Sequence, residues 1–193
     1  LSHELDHALQ DQRFNLLRIS AQRNSNEDAA LAFASVAEGD ATIVMMDYGM
    51  KDLGFSVPNA PMFAKFMESF LFGSGQDAFL KDMPDTIKAQ LIFPYTEGMK
   101  FVAAAYNSGG WKSVDEAFKN PPESTEQLMH PDKYLKEKDH PVALGLPDIS
   151  AFLPSGYKQT EANTCGEFQT SLVISAQLPR AEKPRADAAA AGW

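Results

Sequence analysis

Near the start of the chain a glutamate follows the first of two histidines set four positions apart, in the run His3-Glu4-Leu5-Asp6-His7, the pattern H-E-x-x-H. On a helix the two imidazoles fall one turn apart on the same face, close enough to bind one tetrahedral zinc ion. Zinc with an open coordination position lowers the pKa of bound water towards neutrality, and a neighbouring carboxylate can take the proton as that water attacks a carbonyl. The same carboxyl group can then protonate a leaving amine. The pattern therefore assigns His3 and His7 as metal ligands and Glu4 as general base and acid.

Such a centre needs a third protein ligand, and one cysteine in 193 residues rules out a thiolate set. Glu38 is the best candidate. It is the one ionisable residue on an otherwise apolar stripe of a second helix, Leu31, Ala34, Glu38, Ala41 and Met45, where a carboxylate is expensive unless paired or metal-bound. Gly39 beside it would let two helices approach closely. Asp40, Asp47, Glu27 and Asp28 are competing acids on the same helix, although Asp40 points about 200° away from Glu38. Asp11, one turn after His7, is a candidate to orient that imidazole through a hydrogen bond. His130 is a candidate oxyanion stabiliser, as are the Tyr95 and Tyr134 hydroxyls, while His140 reads as surface.

The elements that must carry these residues are helical. The run Leu1 to Leu17 has no Pro or Gly, and Leu5, Leu9 and Leu16 predict its buried stripe. A polar stretch leads to a second helix from about Glu27 to Gly49. After Gly54, Pro58 and Pro61, the stretch from Met62 to Phe72 is apolar nearly all round, so Met62, Phe63, Phe66, Phe70 and Phe72 are expected in the core. Short segments near Asp77 to Lys81 and Asp85 to Leu91 precede Phe93-Pro94-Tyr95 and a helix from Thr96 to Tyr106, then another from Trp111 to Phe118. Ser124 to Gln127 and Thr164 to Glu167 both fit capping boxes, the second opening a helix that Pro179 ends. The Pro- and Gly-bearing region 142–161 suits loops or a small strand pair. The fold class expected is mainly α, a single domain with its zinc site on two adjacent helices: a catalytic core over 1–178 and a mobile or docked segment over 179–193.

Length and charge narrow the function classes. A chain of 193 residues that is 44% hydrophobic can bury a real core, and a net charge of −9 repels phosphate backbones, so nucleic acid is excluded as a partner. No run reaches the roughly 18 to 20 uninterrupted apolar residues of a membrane span. The chain opens directly on the motif with no signal segment, which reads as the interior of a longer precursor. Its single cysteine fits either side of a bacterial membrane, with an extracytoplasmic, secreted or periplasmic, placement favoured, and the oligomeric state is left open.

His3-Glu4-x-x-His7 with a downstream glutamate on a second helix resembles the gluzincin metallopeptidases, in which that glutamate completes a His, His, Glu zinc site. The likeness covers the first fifty or so residues. More broadly, His3 to Gln12, Ala37-Glu-Gly-Asp-Ala41, Phe93-Pro-Tyr95, Gly109-Gly-Trp111 and Ser124 to Pro131 look like a family of bacterial proteins built on this zinc helix. The resemblance implies a helical fold, zinc on His3, His7 and Glu38, and hydrolysis of a peptide or protein substrate. Two departures stand out: an acid at Asp6 beside the site, and no edge strand before the motif to align an extended peptide. The alternatives are a catalytically inactive scaffold that binds a peptide or partner, and a metallohydrolase acting on non-peptide amides or esters.

Overall fold

The computed structural model describes residues 1–73, 82–145, 147–149, 152–179 and 181–191, without the side chains of 67–73. It is mainly α, and no strand occurs among the described residues. The helices are α1 (Ser2–Phe14), α2 (Leu16–Ala21), α3 (Glu27–Met50), α4 (Ala60–Gly73), α5 (Asp85–Gly109), α6 (Trp111–Lys119), α7 (Thr125–Met129), α8 (Glu167–Gln177) and α9 (Arg185–Ala190).

The long helices α3 and α5 form the central pair and share the largest interface. They touch through glycine: a Cβ placed on Gly39 would lie 2.2 Å from the Gly98 carbonyl carbon, and one on Gly98 would lie 2.0 Å from the Ser35 carbonyl oxygen. Around that crossing Phe33, Val36, Ile43, Met99, Phe101, Val102, Phe118 and Leu128 make the core. By length and composition, Glu27–Leu53 could cross a membrane, but 67% of its apolar window is buried inside the fold. That is how the central helix of a packed core reads.

The first predicted helix is in fact two. Asn15 takes a left-handed conformation (φ 60°), which asparagine tolerates better than most residues, and its side chain caps α2 by accepting from the Arg18 N–H at 3.1 Å. The stripe also faces the other way from the one predicted. Leu5 is 56% and Leu9 62% exposed, whereas Gln10 is buried and His3, Asp6 and His7 are half-buried. Polar contacts hold this inverted face. The far end of α1 is pinned on α6, where Phe14 stacks on Phe118 with ring centroids 4.6 Å apart and Arg13 pairs with Asp115.

On α3 the stripe Leu31, Ala34, Glu38, Ala41, Met45 runs along the border of the buried face: Ala41 is fully buried and Leu31 packs partly against the core, Ala34 and Met45 are exposed, and Ala32, Val36, Gly39, Asp40 and Ile43 lie deeper. α4 is likewise turned from the expected core: Ala60 and Ala64 are fully buried, Phe63 packs partly, and Met62 and Phe66 are each 64% exposed. Phe70 and Phe72, and the segment Asp77 to Lys81, lie outside what is described. α5 runs unbroken through Pro94, where a boundary was expected. A proline removes one N–H and costs about 3 kcal/mol inside a helix, a loss that the surrounding burial offsets: Ile92, Phe93 and Thr96 are buried and Phe93 stacks on Phe168 at 3.8 Å.

Ser124 caps α7 as expected, accepting from the Gln127 N–H, but the Gln127 side chain reaches one residue further back, to the Glu123 N–H. Thr164 and Glu167 do not form the expected box: α8 starts at Glu167 behind Gly166, which has no side chain to cap it, and only the Gln169 side chain reaches back, accepting from the Gly166 N–H at 3.1 Å. A side chain at 166 would collide with Asp28, whose buried carboxylate accepts from the Thr125 N–H and hydroxyl at 2.9 and 2.6 Å. The Thr125 hydroxyl in turn accepts from the Phe168 N–H, so one acid ties α3, α7 and α8 together. The described residues of 142–161 form loop and bends in place of a strand pair, with Val142, Leu144 and Phe152 more than 80% exposed. Prolines deprive that stretch of the donors a ladder needs. The segment after Pro179 docks on α8 through α9, whose Ala186 and Ala190 are fully buried.

Candidate metal centre

The inward face of α1 meets the edge of α3 near the glycine crossing, and three ligand atoms converge there. His3 Nε2 lies 3.1 Å from Glu38 Oε2, His7 Nε2 lies 3.1 Å from His3 Nε2, and His7 Nε2 lies 3.4 Å from Glu38 Oε2. Zinc bonds of about 2.0 to 2.1 Å at tetrahedral angles place ligand atoms roughly 3.3 to 3.4 Å apart. The triangle is therefore within a few tenths of an ångström of what one ion imposes. Two imidazoles with one carboxylate also form a donor set suited to zinc and its neighbours rather than to magnesium or calcium, which take oxygen. Among the described residues this is the one group of three or more such side chains able to hold an ion.

The protonation pattern points the same way. Gln10 is buried on α1, and its amide nitrogen donates to Asp6 Oδ2 at 2.7 Å, Asp40 Oδ2 at 3.0 Å and the Ala37 carbonyl at 3.2 Å. Three acceptors fix the amide nitrogen's side, so the amide oxygen must face His7 Nδ1, 2.9 Å away, and Nδ1 must carry the proton. His7 Nε2 is then left with a lone pair aimed at His3 and Glu38. Electron pairs brought this close need a cation or a shared proton between them. His3 Nδ1 is buried with no hydrogen-bond partner.

The surrounding charges are acidic. Burial, followed by the negative charge of Asp6, pushes the Asp40 carboxyl up to about 7, against the hydrogen bond from Gln10. Asp6 is raised too, chiefly by burial, with His7, Gln10 and His3 opposing. Tyr95 comes from α5, three residues before Gly98. Its ring centroid is 6.3 Å from that of His3, and burial, then Glu38 by its charge and a hydrogen bond, then Glu4, keep its phenol protonated beyond the usual range. The side chains of His3, His7 and Glu38 keep 16, 25 and 28% exposure, so water reaches the triangle.

Glu4 is exposed, and its field is felt at Tyr95. By helix geometry it sits about 60° around α1 from His7, at the border of the ligand face. Two other candidates lie elsewhere. Asp11 accepts from the Leu16 N–H at 2.9 Å across the α1–α2 break, and the task of orienting His7 belongs to Gln10. His130 follows α7 and pairs with the buried Glu167 at 2.8 Å. α7 docks at Asp28, about 15 Å along α3 from Glu38. Tyr134 donates to the Asn120 carbonyl, and His140 pairs with Glu123 on the surface. Gln10 went unremarked in the sequence, and Asp40, weighed there only as a competing ligand, stands instead behind Gln10, which donates to it at 3.0 Å. A neutral amide at position i+3 from a ligand histidine was the available signal.

No family model, curated protein or solved structure matches the chain, so the centre is read from its own geometry.

Proposed function

We propose that the protein is a zinc-dependent hydrolase of peptide bonds, with His3, His7 and Glu38 holding the ion and Glu4 moving the proton. The observation that carries this reading is the triangle of His3 Nε2, His7 Nε2 and Glu38 Oε2, with sides of 3.1, 3.1 and 3.4 Å. Zinc bound there supplies Lewis-acid polarisation of a carbonyl and an acidified water.

The chain's own residues do the rest. Gln10 holds His7 in one tautomer, and Glu38 contributes the negative charge that helps retain a divalent ion. Glu4 is exposed at the rim, free to accept a proton and return it to a departing nitrogen. Tyr95, whose ring lies 6.3 Å from that of His3, offers a phenol O–H that is protonated at neutral pH, as a donor to an oxyanion must be.

A second reading concerns the substrate. The same centre would equally serve a metallohydrolase acting on non-peptide amides or esters, since a metal-polarised carbonyl and an acidified water are common to both reactions. One experiment separates these readings from a non-catalytic scaffold. Zinc is quantified in protein purified without chelator, and hydrolysis of a mixed peptide library and of simple amides is compared for the parent and Glu4→Gln. A hydrolase binds one equivalent of metal in both forms and loses turnover by orders of magnitude in the variant. Equal hydrolysis by both forms would remove Glu4 from its role, and metal well below one equivalent would remove the centre.

A further inference from the structure

A second cavity, of about 510 Å³, lies far from the ion site and is lined by Arg18 of α2, Arg23, Lys119 at the end of α6, and Lys138. Glu123 is the one acid in its wall, and it is already engaged by His140 Nδ1 at 2.7 Å. Four cations against one paired acid is an unusual grouping in a chain whose net charge is −9. From His3 to Phe14, α1 alone spans about 16 Å, so the two sites are separate.

The two arginines are not used up by the fold. Among the described residues the guanidinium groups of Arg18 and Arg23 make no ion pair within 4 Å; Arg23 feels the charge of Glu123, yet its Nε is buried without a hydrogen-bond partner. The face of that guanidinium lies 5.9 Å from the Phe33 ring, which holds it in place. Lys119 is shared with Glu116 on the surface, and Lys138 donates to the Tyr134 carbonyl over the Tyr134 ring. A half-buried guanidinium with an orphaned N–H is costly unless an acceptor arrives from outside. Guanidinium forks match the oxygens of phosphate groups, and the rest of the wall mixes Ile19, Pro121 and Tyr134 with the amides of Gln22, Asn120 and Gln127, a lining that suits a polar organic body. The volume is that of a small-molecule site.

We propose that this cavity binds a phosphorylated small molecule, with Arg18 and Arg23 gripping the phosphate and Lys119 and Lys138 neutralising the remaining charge. The inference does not depend on the zinc reading. The probe is pyrophosphate, titrated calorimetrically at 0.15 M chloride, with sulfate as a competing simple anion. Because pyrophosphate also chelates metals, the titration uses metal-stripped protein and a His3→Ala, His7→Ala double variant.

Saturable binding with one site per chain is expected, kept in the double histidine variant and weakened at least tenfold by Arg18→Gln or Arg23→Gln. Lys138→Gln, a change at an exposed position, should weaken binding less while leaving the fold intact by circular dichroism. Absence of saturable binding, equal affinity for sulfate, or affinity unchanged in all three cavity variants would each overturn the proposal. Binding lost only in the histidine variant would place the anion at the ion centre and overturn it equally.

Discussion

Gln10 offers the sharpest test of how the centre is built, because its amide is the single link between His7 and the buried acids. Gln10→Leu keeps the volume but deletes the acceptor that receives the His7 Nδ1 proton at 2.9 Å. The imidazole is then free to place its proton on Nε2, facing Glu38, and to rotate away from the triangle. Tautomer competition alone costs only a factor of about two, and lost orientation and basicity supply the rest. Deleting a partner of this kind lowers metal affinity roughly 10- to 100-fold, or about 1.4 to 2.7 kcal/mol. The same change strips a donor from Asp40, Asp6 and the Ala37 carbonyl, so the apo fold should also lose about 1 to 3 kcal/mol. Zinc affinity is measured by chelator competition at a temperature where circular dichroism shows the variant folded. Asp11→Ala is the matched control, since Asp11 serves the Leu16 N–H, and it should leave affinity unchanged. Parental affinity in folded Gln10→Leu, or an equal loss in Asp11→Ala, would refute the assignment of Gln10.

Three further outcomes are expected. Gly39→Ala puts a methyl 2.2 Å from the Gly98 backbone and should destabilise the fold by about 1 to 3 kcal/mol or more, read by urea unfolding, with a parallel loss of zinc affinity. Removing zinc by dialysis against chelator should lower the melting temperature, and restoring one equivalent should return it, because an ion that binds only the folded state adds its binding free energy to stability. Burial raises the Asp28 carboxyl above its usual 3.8, with the Thr125 hydrogen bonds opposing. The stability owed to its neutral form is therefore complete in acid below 3.8 and is lost as the pH rises through the folded value. Unfolding of the parent and Asp28→Asn at pH 4 and pH 7 should show the balance shifting towards the variant at pH 7, and a difference that does not move with pH would contradict this.

Much of the helical frame was legible because caps and periodicity act locally: α3 begins and ends where expected, and Ser124 caps α7. Glu38 could be singled out because a lone acid among apolar residues needs a partner. The faces were less legible. Leu5 and Leu9 suggested a buried stripe, but the two histidines, Gln10 and Asp40 satisfy one another only when the polar side of α1 faces inward. Pro94 reads as a boundary in sequence, and only the packing of Phe93 on Phe168, distant in the chain, explains a helix running through it. Between the two readings open for 142–161, loops or a small strand pair, the described residues are loop, and Val142, Leu144 and Phe152 stand exposed there.

Where Gly39 meets Gly98, main chain rests on main chain one residue from Glu38, with no side chain between to act as a cushion. Any slackening of the interior that parts the two rods should thus reach the carboxylate undamped. With a metal bound as proposed, ion retention would gauge internal order: release, followed by a colour-forming chelator, should come at temperatures or pressures below those that unravel the helices.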